Sequence, residues 1–211
     1  MTAGDGAVAA PLPMFPLGVV LFPFVHLPLH VFEPRYRALV KDCLRNRQEF
    51  GVVLIERGHE VGGGDQRFAV GTVAHITEAA ELEDGRWVLD TVGTRRVRIE
   101  TWLPDDPYPL ALVTDLDEDH DVDPTLLAPA EQAVRRALAL KAELVEPAAP
   151  TTVAVDDEPL VAAWQLAAVA PLSPIDQQQL LATSDGNERL RLLARLATET
   201  ADVLAYRLSS G

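Results

Sequence analysis

Cysteine is almost missing from this sequence of 211 residues, since Cys43 is its only one. A single cysteine excludes an intramolecular disulfide and a thiolate metal cluster, so the fold must depend on packing. The longest apolar stretch, Leu160–Leu172, is interrupted by Gln165 and is shorter than the roughly 20 residues that span a bilayer. The first ten residues lack the basic start and the apolar run of a secretory signal. These absences favour a soluble cytoplasmic protein that has no membrane partner.

Positive charge is also scarce. The sequence has 18 Lys and Arg residues against 32 Asp and Glu residues, which gives a net charge of −14. This balance opposes binding to the phosphate backbone of nucleic acids, although a local basic patch at Arg95, Arg96 and Arg98 leaves RNA binding open as a less favoured alternative. At 48% hydrophobic residues, the chain has enough apolar side chains for a core and for one or two domains.

The residue sets that carry catalysis are not assembled in this sequence. The four serines lie in helix-cap or tail positions, and no Gly-Lys-Ser/Thr follows the glycines at 62–64, where we expect a flexible tip between strands. His26 and His30 are four residues apart, but Pro28 between them favours an extended segment over a helical zinc site. Cys43 lies on an apolar helical stripe and is expected to be an inert core thiol. We therefore predict no catalytic residue, no metal and no cofactor.

An acidic segment with aspartate at alternate positions from Asp115 to Asp123 separates two types of sequence pattern. A calcium loop does not fit it, because the position that requires glycine is His120 and the one that requires glutamate is Leu126. Like charges repel, so we expect a solvated linker that ends with Asp123 as a helix N-cap and Pro124 as the first helical residue.

Short β-type runs bounded by glycine and proline dominate the chain before this segment. The runs are Val19–Phe22, Leu27–Phe32, Gly51–Glu56, Phe68–Thr77, Arg86–Val92, Arg95–Leu103 and Tyr108–Thr114. Asp84 and Gly85 favour a two-residue type I′ hairpin turn that would place Glu83 opposite Arg86. Alternation along the next strand places Trp102 on the same side as Arg96 and Arg98, so this ring is either exposed or covered by a neighbouring loop or the second domain.

Helical spacing of apolar residues predicts the other elements. Pro34 suits a first helical turn, and the stripe that follows it predicts one helix at about 34–47 among the strands. After the acidic segment the pattern predicts helices at Pro124–Val145, Glu158–Ala170, Pro174–Thr183 and Asn187–Leu208. Ser173 is placed to cap the third of these helices, and a loop rich in proline and alanine separates the first two.

One stretch of sequence is far more specific than these patterns. Residues 14–23 read MFPLGVVLFP, and residues 27–37 read LPLHVFEPRYR. This resembles the N-terminal substrate-binding domain of the Lon protease family, whose opening combines F-P-L and L-F-P with L-P-L-x-I-F-E-P-R-Y. The likeness continues through FGVVL at 50–54, VGTVA at 70–74, GTRRVR at 93–98 and PY at 107–108. It covers nearly the whole chain.

The resemblance implies an α+β fold in which a PUA-like β-barrel is followed by a C-terminal helical bundle. The expected organisation is a disordered N-terminus at 1–10, a barrel subdomain at 11–114, the acidic linker at 115–123 and the bundle at 124–211. The motif residues are expected to be structural, with the prolines bounding short strands and Glu33 and Arg35 shaping the corner where the helix begins. These residues are Pro16, Phe22, Pro23, Leu27, Pro28, Phe32, Glu33, Pro34, Arg35 and Tyr36.

The resemblance further implies a non-catalytic module that binds proteins or peptides and lacks ATPase and protease parts. Its expected partners are unfolded or extended polypeptide segments, with a separate protease or chaperone as a further partner. The candidate contact residues are aromatic: Phe24, Tyr36, Trp87, Trp102 and Tyr108. Two alternatives stay open, namely a small-molecule or enzymatic site in a cleft near His26 or His30, and an RNA-binding PUA-like domain.

Overall fold

A computed structural model describes residues 11–57, 66–118, 121–144 and 155–210. The strands are β1 Leu12–Leu17, β2 Leu29–Val31, β3 Glu49–Arg57, β4 Gln66–Glu81, β5 Trp87–Leu103 and β6 Leu110–Asp115. Helix α1, Pro34–Arg45, lies between β2 and β3. After a 3-10 turn at Pro124–Leu126 come α2 Leu127–Leu144, α3 Pro159–Val169, α4 Pro174–Ala182 and α5 Gly186–Ser210. The expected α+β class is confirmed.

The strand pairings close on themselves. The strands are paired in the order β5-β4-β3-β1-β6, and β6 also pairs with β5, which closes the ring. Strand β2 pairs with the first residues of β5. The β1–β3 pair is parallel and the other strand pairs are antiparallel. This ring of pairings agrees with the small barrel that the resemblance implies.

The sequence pattern does not predict strand β1, and the predicted strand at Val19–Phe22 is wrong. Proline at positions 13 and 16 argues against a strand, yet Pro16 lies inside β1 opposite Val53 of β3. The motif proline at 16 therefore does not end a strand as expected. Residues 19–22 form a loop instead, in which Phe22 is almost fully buried.

This loop is attached to the barrel at Gly93. The Phe24 N–H donates to the Gly93 carbonyl at 2.8 Å, and the Gly93 N–H donates to the Val25 carbonyl at 2.9 Å. The Thr72 hydroxyl donates to the Leu21 carbonyl at 2.6 Å. A Cβ at position 93 would collide with the Phe22 carbonyl oxygen, so the close backbone approach requires glycine there.

The hairpin between β4 and β5 is correctly placed, but its turn type is wrong. The Leu82 N–H donates to the Arg86 carbonyl and Glu81 pairs with Trp87, so the loop has three residues rather than two. Within this loop only Gly85 takes a positive φ, at 78°, whereas a type I′ turn requires two such residues. A three-residue loop with glycine in the left-handed position fits the same Asp-Gly sequence.

The two runs Arg86–Val92 and Arg95–Leu103 are one continuous strand, β5, with irregular register. A shift between Ile99 and Thr101 changes the alternation that the sequence analysis assumed. Trp102 is consequently half-buried and packs beside the Met14 and Ile99 cluster, with the Arg67 guanidinium 4.3 Å above its ring.

The predicted helices are confirmed to within a few residues at each end. Pro34 begins α1, and Ser173 caps α4 by accepting from the Asp176 N–H at 3.2 Å. Asp123 accepts from the Thr125 N–H at 2.9 Å, as expected of an N-cap, but the turn that follows is 3-10. No described helix is both long enough and apolar enough to cross a bilayer.

The barrel meets the bundle at a buried, charged junction built around Trp164, whose side chain is fully enclosed. The ring of Phe22 packs 5.5 Å from it, and the Arg189 guanidinium lies 3.8 Å from its centroid. Arg96, with none of its side chain exposed, donates to the Glu118 carboxylate and to the carbonyls of Leu181 and Thr183. We call Arg96, Glu118, Trp164 and Arg189 the junction cluster.

The junction cluster corrects the expectation of a wholly solvated acidic linker. The Glu118 side chain is 12% exposed and lies between Arg96 and Arg189, and Val122 is buried in the bundle core. Several alternating aspartates do face water, whereas Glu118 joins the two halves. The predicted disordered N-terminus, the glycine tip at 62–64 and most of the Pro/Ala-rich loop lie outside the described residues.

Candidate functional site

A cleft of about 1040 Å³ opens between the C-terminal end of α1 and the strands β1 and β6. We call it the α1–β6 cleft. Its apolar wall comes from the half-buried side chains of Leu12, Pro13, Leu110 and Val113, which belong to the start of β1 and to β6. A large concave site with an apolar lining and a few converging polar groups is the usual form of a ligand-binding site.

Helix α1 supplies the opposite wall. Asp42, Cys43, Asn46 and Arg47 come from its last turn and its C-terminal end, where the chain turns toward β3. Burial, followed by the charge of Asp42, raises the pKa of Cys43 to about 12. The thiol is therefore protonated at neutral pH, in agreement with the prediction of an inert buried cysteine.

Tyr108 forms the end of the cleft next to α1. Its hydroxyl donates to the Asp42 carboxylate at 3.0 Å, and its side chain is almost fully buried. Burial, and then this hydrogen bond, raise the pKa of Tyr108 to about 12. Tyr108 thus joins α1 to the segment that precedes β6 and holds the two walls together.

Three charged side chains form the rim. Arg95 donates from Nη1 to Glu49 at 3.2 Å and from Nε to Asp115 at 3.1 Å. Partial burial lowers the pKa of Arg95, but the hydrogen bonds and charges of Asp115 and Glu49 outweigh it and raise that pKa overall. The guanidinium therefore stays charged and fixes two carboxylates beside the apolar wall.

The sequence pattern does not predict that the three rim residues come together. Glu49, Arg95 and Asp115 lie on three different strands, and their convergence depends on the closure of the barrel. Strand alternation alone could have shown that Arg95 and Arg96 point to opposite sides. Nothing in the sequence pattern joins Asp42 to Tyr108 across 66 positions.

The predicted aromatic contacts lie in different places. Among them only Tyr108 belongs to the described lining of the cleft. Tyr36 stacks on Phe15 with ring centroids 4.1 Å apart, and Trp87 is buried in the same barrel core. Their side chains are therefore covered, while Phe24 is 39% exposed.

The described residues give little support to the two alternatives, a small-molecule site near His26 or His30 and an RNA-binding surface. His26 and His30 are both exposed on the extended segment. Among the described residues, His26 has a polar partner near it, Asp90 at 3.4 Å. Within the described ranges no group of three or more His, Cys, Asp or Glu side chains is arranged to hold a metal ion. The basic patch on which the RNA-binding alternative depends is not formed by these arginines together, because Arg96 is buried and Arg95 is paired with two carboxylates.

Comparison with known proteins decides the family. Residues 11–199 match the model of the ATP-dependent protease La (LON) substrate-binding domain. The chain belongs to the Lon substrate-binding domain family. Lon protease 2 of Herpetosiphon aurantiacus is 30% identical over 95% of this chain, and the match spans 25% of that protein. Lon protease of Anaeromyxobacter dehalogenans is 28% identical over 93% of this chain and is matched over 24% of its length. The chain thus spans about a quarter of these curated Lon relatives.

Solved structures agree with this assignment to the Lon family. A Lon N-terminal domain protein from Xanthomonas campestris superposes with a TM-score of 0.66 at 32% identity, covering 87% of this chain and 96% of that one. The N-terminal domain of Mycobacterium avium complex Lon protease gives a TM-score of 0.59 at 18% identity, covering 90% and 99%, and supports the fold alone.

The last Lon motif residues, from Phe32 to Tyr36, lie at the corner where the barrel chain enters α1. Glu33 and Arg35 form an ion pair at 3.1 Å on either side of Pro34, and Arg35 lies 4.5 Å above the Tyr36 ring. Phe32 is 57% exposed. The other members are placed as follows: Pro23 is buried in a turn, Leu27 is half-buried, and Pro28 is exposed just before β2.

Proposed function

We propose that this chain recognises unfolded or extended polypeptides through the α1–β6 cleft. Membership in a substrate-binding family supports the class of ligand, and the cleft supports the place, because its apolar wall and polar rim suit an extended chain with mixed side chains. The size of the cleft, about 1040 Å³, is sufficient for several side chains. This cleft is the observation that carries the proposal.

A matched pair of ligands tests the proposal. Lysozyme that has been reduced and carbamidomethylated is unfolded and basic, and native lysozyme has the same sequence in a folded state. The unfolded form is expected to bind the immobilised chain at least about tenfold more tightly than the native form, because only an unfolded chain can enter the cleft. Equal binding of both forms would show that net charge alone drives the association.

Two variants locate the binding surface. Val113→Glu places a charge on the apolar wall of the cleft and is expected to weaken binding of the unfolded form about tenfold. Val203→Glu makes the same change at an exposed position of α5, outside the described lining, and is expected to leave binding unchanged. Urea unfolding of both variants verifies that they are folded. An equal effect of the two changes contradicts the location.

We include in the proposal that the chain hydrolyses nothing itself and delivers its ligand to a separate protease or chaperone. The curated relatives are named proteases, and this chain matches only about a quarter of their length. Incubation with unfolded lysozyme and ATP is expected to leave both intact by mass spectrometry and phosphate release. Turnover by the purified chain would overturn this part of the proposal without affecting the cleft.

A further inference from the structure

Among the described residues, the outer edge of β6 is only partly covered. β6 pairs with β5 along its whole length, from Leu110 opposite Leu103 to Asp115 opposite Val97. On its other side it pairs with β1 only at Leu110 and Ala111. Along 112–115 the described part of the chain provides no strand on that side. A free strand edge of this kind is a template for an additional strand.

Two hydrogen bonds establish which backbone groups of β6 face this edge. The Leu116 N–H donates to the Arg96 carbonyl at 3.0 Å, and the Met14 N–H donates to the Pro109 carbonyl at 2.8 Å. In antiparallel sheets, consecutive residues direct their N–H and C=O groups to opposite sides. The N–H and C=O groups of even-numbered residues such as 114 and 116 therefore face β5. The N–H and C=O groups of Val113 and Asp115 face the open edge.

The open edge borders the α1–β6 cleft. Val113 and Asp115 line the cleft, and the end of α1 lies across it at Asn46 and Arg47. Val113 is half-buried and apolar, whereas the Asp115 side chain is 63% exposed despite its bond to Arg95. The cleft therefore offers an apolar surface and, two residues further on, a carboxylate with room for a second partner.

We propose that an extended polypeptide binds as a new antiparallel strand beside β6, with an apolar residue opposite Val113 and a basic residue opposite Asp115. This inference rests on the proposed function and adds the binding mode and the sequence preference. Because the added strand is antiparallel, the basic residue comes two positions before the apolar one. Directly opposed residues of opposite charge stabilise an antiparallel pair, and the net charge of −14 favours a basic ligand.

Backbone methylation of a synthetic peptide tests the pairing. The probe is a fluorescein-labelled nine-residue peptide amide of serine and threonine that ends with Lys-Thr-Leu, because residues after the Leu would meet the start of β1. Fluorescence anisotropy gives its dissociation constant. N-methylation of the Lys or the Leu removes an N–H that would donate to Asp115 or Val113, and each change is expected to weaken binding about tenfold. N-methylation of the Thr between them leaves binding within about twofold, because its N–H points away from β6.

Charge reversal tests the register independently. Asp115→Lys is expected to weaken the Lys-Thr-Leu peptide about fivefold and to strengthen a Glu-Thr-Leu peptide by a similar factor. Asp117→Lys is the matched control, because Asp117 is exposed, belongs to the same acidic segment and changes the net charge equally. If the two variants respond alike, the preference comes from overall charge and the register is wrong.

The outcomes separate this inference from the proposed function. Binding of unfolded lysozyme together with equal effects of all three methylations overturns the added strand but leaves polypeptide recognition standing. The same peptides are also measured on a chain that lacks residues 1–10, to test whether these residues compete with the peptide for the edge. If this shorter chain binds the peptide more tightly and the three methylations keep their pattern, the result supports the edge as a strand-binding site. Absence of peptide binding to both chains overturns the inference.

Discussion

Arg95 and Arg96 are neighbours on β5, yet they lie in regions of opposite character. Arg95 lies at the rim of the cleft with 35% of its side chain exposed, and Arg96 lies in the junction cluster with none exposed. Both bond to carboxylates of the same acidic segment, Asp115 and Glu118. Ion pairs open to water contribute little to stability, whereas a buried charge that loses its partner is costly. We therefore expect the junction to contribute more to the stability of the fold than the rim does.

The largest expected effect is at the junction. Arg96→Met removes the partner of Glu118 and leaves the carbonyls of Leu181 and Thr183 without this donor. We expect the free energy of unfolding in urea to fall by about 4 kcal/mol. Arg98→Met, on the same strand but exposed, is expected to change it by less than about 0.5 kcal/mol.

A double variant sharpens this result. Arg96→Met combined with Glu118→Leu removes both charges, so it should recover part of the loss, because an apolar replacement of a buried pair avoids the unpaired carboxylate. A loss below about 1 kcal/mol for Arg96→Met alone would contradict the importance of the junction cluster.

The second arginine of the junction cluster has a smaller expected effect. Arg189→Met removes a guanidinium that lies 3.8 Å from the Trp164 ring centroid and donates to the Thr183 carbonyl, while Glu118 keeps Arg96 as a partner. We expect a loss of about 2 kcal/mol in urea unfolding. Arg191→Met on the exposed side of α5 is the control and should be neutral. If both variants lost the same free energy of unfolding, the contact of Arg189 with Trp164 would not contribute to stability.

At the cleft, Tyr108 predicts a dependence on pH. Its pKa is raised to about 12 from 10.0, so the unfolded chain ionises this phenol at lower pH than the folded chain. The contribution of the protonated phenol is complete below pH 10 and is lost as the pH rises toward 12. Tyr108→Phe should be less stable than the wild type by about 1 kcal/mol at pH 7, and this difference should shrink above pH 10.

Urea unfolding of both proteins from pH 7 to pH 11.5 measures this effect. Both proteins carry Cys43→Ala, because the charge of Cys43 also contributes to the raised pKa of Tyr108. Tyr206→Phe is the matched control for loss of a hydroxyl, because the Tyr206 side chain is 73% exposed. A difference that stays constant with pH would contradict the buried phenol.

The smallest expected effect completes the comparison. Arg95→Gln keeps a hydrogen-bond donor but removes the charge between Glu49 and Asp115 at the open rim. We expect a loss of about 0.5 kcal/mol in urea, several times less than for the neighbouring arginine, and a smaller dependence of stability on salt. A loss as large as that of Arg96→Met would abolish the distinction between the two regions.

Local patterns were sufficient for most elements and insufficient where distant groups meet. Helix spacing and caps such as Ser173 are local, so the helices were predicted closely. Strand β1 was missed because its prolines argue against a strand, and only its pairing with β3 and β6 explains it. The burial of Arg96 could not be predicted locally, because its guanidinium donates to the carbonyls of residues 181 and 183, about 85 positions away in the sequence.

The candidate site was harder to predict than the fold for the same reason. Tyr108 was selected as an aromatic residue near the end of the barrel sequence, and it does line the cleft. Tyr36 and Trp87 were selected on the same ground, but aromatic rings are also the main filling of a barrel core. The rim of Glu49, Arg95 and Asp115 needs three strands in register before it exists.

The position of Glu118 limits how this chain can be divided for experiments. A fragment that stops at the last strand would keep Arg96 and Phe22 but lose the carboxylate, the ring of Trp164 and the helix-end carbonyls that enclose them. Such a fragment would present a bare guanidinium and an uncovered phenyl ring to solvent. Chimaeras between relatives should therefore exchange the two halves together with residue 118 and its arginine contacts, or keep both halves from one parent.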